Sequence, residues 1–193
     1  GMPQYMPCPH GSYQPEPNAI NCLPCELGAH CSEGASAALL CPSGSFGNAT
    51  NLTSAADCAD CPEGHMCATG SAVPVPCEAG SASAAHSATC TRCAAGRYQP
   101  LAGQASCGAC PPGTACAEGA KAPTPCSPGS VSAAAGMSQC TPCPHGSYQP
   151  EPNTTDCLPC ELGAHCSEGA SAALLCPSGS FGNATNLTSA ADC

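Results

Sequence analysis

The chain has 193 residues, of which 22 are cysteine, 21 glycine and 22 proline. A cysteine content above roughly 8–10% in a short chain marks a disulfide scaffold. Leu, Ile, Val and Phe together number only 17 and Trp is absent, so the single apolar core of a globular enzyme of this length is excluded. Arg92, Arg97 and Lys121 face 13 acidic residues, for a net charge of −10. Nucleic acid and anionic membrane surfaces attract clustered Lys and Arg, so neither is an expected partner. No apolar run approaches the ~20 residues that cross a bilayer, and no membrane insertion is expected in this segment.

In chain order, residues 1–7 read as the tail of an upstream module. Residues 8–142 form a first superrepeat, and residues 143–193 begin a second that stops on Cys193. The chain is therefore expected to be a slice of something longer. Residues 8–58 recur as 143–193, with only Ala19, Ile20 and Asn21 replaced by Thr154, Thr155 and Asp156. Tyr5 stands where the later copy has Cys140.

A finer repeat lies beneath. Taken in order, the odd cysteines Cys8, Cys25, Cys41, Cys61, Cys77, Cys93, Cys110, Cys126, Cys143, Cys160 and Cys176 each open a C-x-x-G. Among the even ones, Cys22, Cys58, Cys90, Cys107, Cys140 and Cys157 do not, whereas the short-loop closers Cys31, Cys67, Cys116 and Cys166 each begin a second C-x-x-G, and Cys193 is the last residue of the sequence. Eight modules fill the first superrepeat. Each is predicted to be a tight turn, in which glycine permits a positive φ, followed by a ragged hairpin. Pairing each opener with the next closer is the simplest connectivity. The absent cysteine at Tyr5 favours that parity, because it leaves every later pair intact. Crossed pairing within groups of four stays open on spacing alone.

Five of the six aromatics, Tyr13, Phe46, Tyr98, Tyr148 and Phe181, stand five residues after an opener. A ring there is expected to lie over the adjacent disulfide as a miniature core, the competing reading being a ligand-contacting ring. The spacers Val73-Pro74-Val75-Pro76 and Ala122-Pro123-Thr124-Pro125 are expected to run as exposed polyproline-like segments.

The segments Cys8-Pro9-His10-Gly11-Ser12-Tyr13 to Cys22-Leu23-Pro24-Cys25, with their parallels at Cys93 and Cys143, resemble the ephrin-receptor-like cysteine-rich repeats. More widely they are similar to tumour necrosis factor receptor and EGF-like modules. Such repeats occur in surface proteins of protists and algae, including mastigoneme proteins of flagellar hairs. The resemblance implies an extracellular fold without identifying a ligand.

Disulfides persist in oxidising compartments, which places the protein outside the cell: secreted, on the cell surface or on a flagellar surface. N-x-[ST] sequons at Asn48, Asn51, Asn153, Asn183 and Asn186 agree, and covalent glycans are expected there. Thr124 is a candidate for O-linked sugar. A zinc set of Cys22, Cys25, Cys31 and Cys41 fits less well, because strict parity is what disulfides require. Neither a metal nor another cofactor is expected. The six histidines are mostly repeat-linked, and no H-E-x-x-H, P-loop or G-x-S-x-G pattern occurs.

The expected fold is thus a small disulfide-rich repeat array: an elongated rod of short β-hairpins and turns with little or no helix, each module touching its neighbours. The expected function is structural and not enzymatic, a segment of an extracellular glycosylated fibre, coat or mastigoneme-like flagellar appendage that self-associates or packs against neighbouring copies. The alternatives are a receptor or adhesin stalk that binds a protein ligand, and a protease-resistant surface antigen.

Overall fold

The computed structural model describes residues 6–193, so Tyr5 and the start of the expected 1–7 tail lie outside it. Among the described residues, twenty two-residue strands pair into ten two-stranded sheets. Helix is confined there to two 3-10 turns, Ala55–Asp57 and Ala190–Asp192. The chain is a disulfide-rich hairpin repeat array. It falls into two compact units: the described residues up to Thr91 with Leu101–Ser106, and Arg92–Pro100 with Cys107–Cys193.

The first module shows how the sequence builds each hairpin. Cys8-Pro9-His10-Gly11 reverses the chain with Gly11 at φ 79°. The Ser12 amide and hydroxyl both donate to the Pro9 carbonyl, at 3.1 and 2.7 Å. A Ser or Thr hydroxyl closes the same turn at Ser45, Ser81, Thr114, Ser130, Ser147 and Ser180. An outgoing arm, Ser12–Tyr13, then pairs antiparallel with a return arm, Leu23–Pro24, in the register Ser12↔Pro24 and Tyr13↔Leu23. The return arm leads straight into the next opener, Cys25.

Within each unit, successive modules are joined by a recurring set of backbone hydrogen bonds. At the first junction the Cys25 amide donates to Gly11 (2.8 Å) and the Gly11 amide to Cys31 (2.8 Å). The Gly34 amide donates to Cys8 (2.8 Å) and the Gln14 amide to Ala35 (3.0 Å). The second unit repeats this set: Cys110 to Gly96 (2.9 Å), Gly96 to Cys116 (2.8 Å), Gly119 to Cys93 (2.8 Å) and Gln99 to Ala120 (3.1 Å). Each such bond contributes about 1 kcal/mol net, but leaving a buried amide unpaired costs more.

The ladder requires a second left-handed turn, nine or ten residues after each opener, which a C-x-x-G marks only in the short-loop modules, at Gly34, Gly70, Gly119 and Gly169. Among the described residues, all five non-glycine residues with positive φ sit there: Asn18, Asn51, His86, Asn153 and Asn186, at 60–63°. Asparagine tolerates this region because its short side chain bonds locally. Elsewhere the position is glycine, as at Gly34, Gly70, Gly103, Gly119, Gly136 and Gly169.

Packing also reaches further than the nearest module. A Cβ on Gly64 would stand 2.1 Å from the carbonyl oxygen of Gly103, two modules ahead in the first unit. In the second unit a Cβ on Gly96 would stand 2.1 Å from the Gly136 oxygen. The expectation that modules meet only their immediate neighbours is corrected accordingly. The spacers also differ from expectation. Val75–Pro76 pairs with His65–Met66, and Thr124–Pro125 pairs with Thr114–Ala115, so each is the return arm of a hairpin. The backbone bonds open to the outgoing arm outweigh the polyproline preference.

These close approaches separate two effects of the same substitution. Gly64→Ala combines positive-φ strain with a backbone clash, whereas a Cβ on Gly163, at φ 78°, would meet nothing within 4 Å. Gly163→Ala is expected to lower stability by about 1–2 kcal/mol, the conformational cost alone. Gly64→Ala is expected to lose native disulfide pairing altogether. Non-reducing peptide maps and denaturation curves of the two secreted variants check this.

Candidate functional site: the disulfide spine and its exposed loops

The interior is made of sulfur. Buried apolar residues are cysteines apart from Ala29, Ala82, Val131 and Ala164. Leucine, the usual core residue, lies outside: Leu39 is 57% exposed and Leu175 82%. Few bulky side chains are available, and two half-cystines pack into a space too thin for facing leucines.

The structure brings the cysteines together as Cys8–Cys22, Cys25–Cys31, Cys41–Cys58, Cys61–Cys67, Cys77–Cys90 and Cys93–Cys107. The remaining bridges are Cys110–Cys116, Cys126–Cys140, Cys143–Cys157, Cys160–Cys166 and Cys176–Cys193. Their Cα–Cα separations, 5.6 Å at Cys77–Cys90 and 6.1 Å at Cys110–Cys116, fall in the ordinary range. The four thiols weighed for zinc go to three separate bridges, which leaves no thiolate to bind a metal.

Two closer positions serve one geometry. In the short loops the closer stands six residues after its opener, at the end of the outgoing arm. In the long loops it stands three residues before the next opener, just ahead of the return arm. The pairing Ser12↔Pro24 and Tyr13↔Leu23, carried one step further, sets those two positions opposite each other across the hairpin. Either can therefore reach the opener. Their environments differ: Cys31, Cys67, Cys116 and Cys166 are buried, whereas Cys90, Cys107, Cys140 and Cys157 are half-buried and Cys22 is exposed.

The aromatic slot has the miniature-core role at two places. Tyr13 packs on the Cys25, Ala29 and Cys31 cluster of the following module, and Tyr148 on Cys160, Ala164 and Cys166. Phe46 and Tyr98 are half-buried, while Phe181 is 76% exposed. The histidines lie at the surface or on arms. His10 faces Glu33 and His145 faces Glu168, each at 3.7 Å, and His86 faces Asp60 at 3.3 Å. Among the described residues no three His, Cys, Asp or Glu side chains converge as a metal site.

All five sequon asparagines, Asn48, Asn51, Asn153, Asn183 and Asn186, are exposed, as is Thr124 on its return arm. Asn51, Asn153 and Asn186 occupy the second left-handed turn. Downstream of Asn51, Asp57 gathers the Thr53 hydroxyl (2.6 Å) and the Thr53 and Ser54 amides (2.9 and 3.0 Å). Asp192 repeats the arrangement with Thr188 and Ser189. Sequence reading missed this clamp, although Thr-Ser-x-x-Asp is a visible capping signal.

The Thr53 hydroxyl, then the Thr53 and Ser54 amides, hold the Asp57 carboxyl below the ordinary aspartate range; Thr188 and Ser189 do the same for Asp192. A depressed folded pKa gives stabilisation that is complete above the unfolded value and lost as pH falls through the folded one. Amide exchange at Thr53 and Ser54 is therefore expected to stay protected at pH 5 and to accelerate only in acid below the ordinary aspartate titration. Asp57→Asn should remove that acid step. Exposure also predicts an order of reduction. Under limiting phosphine and alkylation, label is expected first at Cys22, Cys90, Cys107, Cys140 and Cys157, and last at the four short-loop closers, read by peptide mass spectrometry.

No helix among the described residues is long and apolar enough to cross a membrane. No curated protein matches the chain. Residues 80–128 and 129–173 each match the family described as tyrosine-protein kinase ephrin type A/B receptor-like. Both matches begin on a C-x-x-G glycine, Gly80 or Gly129, and run through two long loops and one short one. The modules before them alternate long and short loops on the same ladder. Those two matches identify residues 80–173 as ephrin-receptor-like cysteine-rich repeats, and the rest of the chain continues the same array of tandem modules with a bridge in each.

Proposed function

We infer that the chain is an extracellular segment, structural or receptor-like, since eleven bridges in place of a core require an oxidising compartment. The repeat family and its disulfide-built fold are those of a non-catalytic segment. Beyond that, we propose that it is a structural segment of an extracellular glycosylated fibre, coat or mastigoneme-like flagellar appendage, in which copies associate with one another. One observation carries this reading: the junction bonds follow one pattern although the closing loops differ in length and sequence. A chain selected for regular stacking needs that constancy, whereas a ligand site needs one module to depart from it. The near-identity of residues 8–58 and 143–193 supports the same reading, because a fibre with a fixed pitch requires equivalent geometry at each period.

The family match favours a second reading, a stalk in a cell-surface receptor or adhesin that binds a protein ligand. Electron microscopy of native material distinguishes the two. A continuous filament with an axial period set by the 135-residue unit is the expected outcome. Dispersed single particles anchored to membrane would sink the fibre and favour the stalk.

A further inference from the structure

The two near-identical copies differ at three adjacent positions, and the difference has one chemical consequence. Asn18-Ala19-Ile20 is not a glycosylation sequon, whereas Asn153-Thr154-Thr155 is. The backbone is otherwise the same. Asn18 has φ 61° and Asn153 has φ 60°. The Gln14 and Gln149 side-chain Nε2 groups donate to the Asn21 and Asp156 backbone carbonyls respectively, spanning the same loop. Ile20 is 94% exposed, so exchanging it for threonine disturbs no packing.

At this turn the main chain is committed, while the asparagine itself remains exposed. The Asn153 amide donates to Cys126 at 2.9 Å, and its carbonyl oxygen would lie 2.5 Å from a Cβ on Gly113. Asn51 is held in the same way between Cys25 and Gly11, and Asn186 between Cys160 and Gly146. In each case the asparagine side chain is exposed. A group attached there leaves the ladder intact.

We propose that Asn51, Asn153 and Asn186 are a set of N-glycosylation sites mounted on one repeated left-handed turn, and that the three-residue change between copies adds Asn153 while keeping Asn18 bare. The donor class is an oligosaccharide carried on a polyprenyl diphosphate. The asparagine Nδ2 forms a bond to the sugar's anomeric carbon. The bond from that carbon to the diphosphate oxygen breaks, the diphosphate lipid leaves with the electron pair, and the amide loses one proton to base. No oxidant or reductant is consumed. The assignment rests on the extracellular reading above and not on the fibre.

The 193-residue chain, secreted from a eukaryotic host, provides the test. N-glycans are removed enzymatically in 18O water, which converts each formerly occupied asparagine to heavy aspartate for mass spectrometry. Heavy label is expected at Asn51, Asn153 and Asn186 and not at Asn18. Ile20→Thr is expected to add label at Asn18, and Thr155→Ile to abolish it at Asn153, so the pair of changes moves one glycan from one copy to the other. A secreted, fully bridged chain unlabelled at Asn153 overturns the proposal, as does label confined to Asn48 and Asn183, or an Ile20→Thr chain with Asn18 bare. Dispersed particles in electron microscopy with these labels present would remove the fibre and leave the glycan sites standing.

Discussion

Within each unit the internal opening cysteines, such as Cys25 and Cys110, are held three ways, and the fold depends on that convergence. The amide of Cys25 reaches back to Gly11, its carbonyl accepts from Asn51 ahead, and its sulfur closes the Cys25–Cys31 loop. One residue thus links the preceding module, the following module and its own hairpin. The bridge restricts the unfolded chain, with a closed loop of about 15 residues worth roughly 3 kcal/mol in the chain-entropy picture. The backbone bonds then convert closed loops into a stack. Neither suffices alone, because a two-stranded hairpin of two-residue arms is unstable by itself in water.

The dependence on backbone explains features that look wrong for a globular protein. Leu23, Leu39 and Leu158 point outward because the space beneath them is filled by half-cystines. Charge is sparse because no interior ion pair is needed; the recurrent His10–Glu33 and His145–Glu168 pairs lie at the surface, where such contacts contribute little. Proline at the end of return arms, as at Pro24, Pro76 and Pro125, fits a strand with a free edge and discourages pairing with foreign strands.

Much of this was legible in the sequence, because the signals are local and repeated. The C-x-x-G glycines, the hairpin content and the family all follow from residues within one module. Three features were not. In the long-loop modules the second left-handed turn is filled by Gly, Asn or His at a spacing of either nine or ten residues, so no single motif exposes it there. The Ser or Thr after the glycine, as at Ser12 and Thr114, is interrupted by Ala29, His65 and Arg97 and loses its pattern in a Ser/Thr-rich chain. The contact of Gly64 with the backbone at Gly103 joins residues two modules apart, a distance that spacing rules do not span. The polyproline expectation failed for a related reason: composition read the spacers in isolation, and their partners lie across the hairpin.

The choice of closer on either arm has an evolutionary consequence. The opposed positions both reach the opener, and the junction bonds use only the second left-handed turn and the residue after it, so the loop residues beyond them are excluded from the repeat that neighbouring modules recognise. Insertions and deletions there leave the stack in phase. Unequal exchange between tandem copies, with its breakpoints at matching C-x-x-G turns, adds or removes whole modules without creating an unpaired cysteine. An array of this kind can change its length over generations in discrete steps, and residues 143–193 read as the product of one such event.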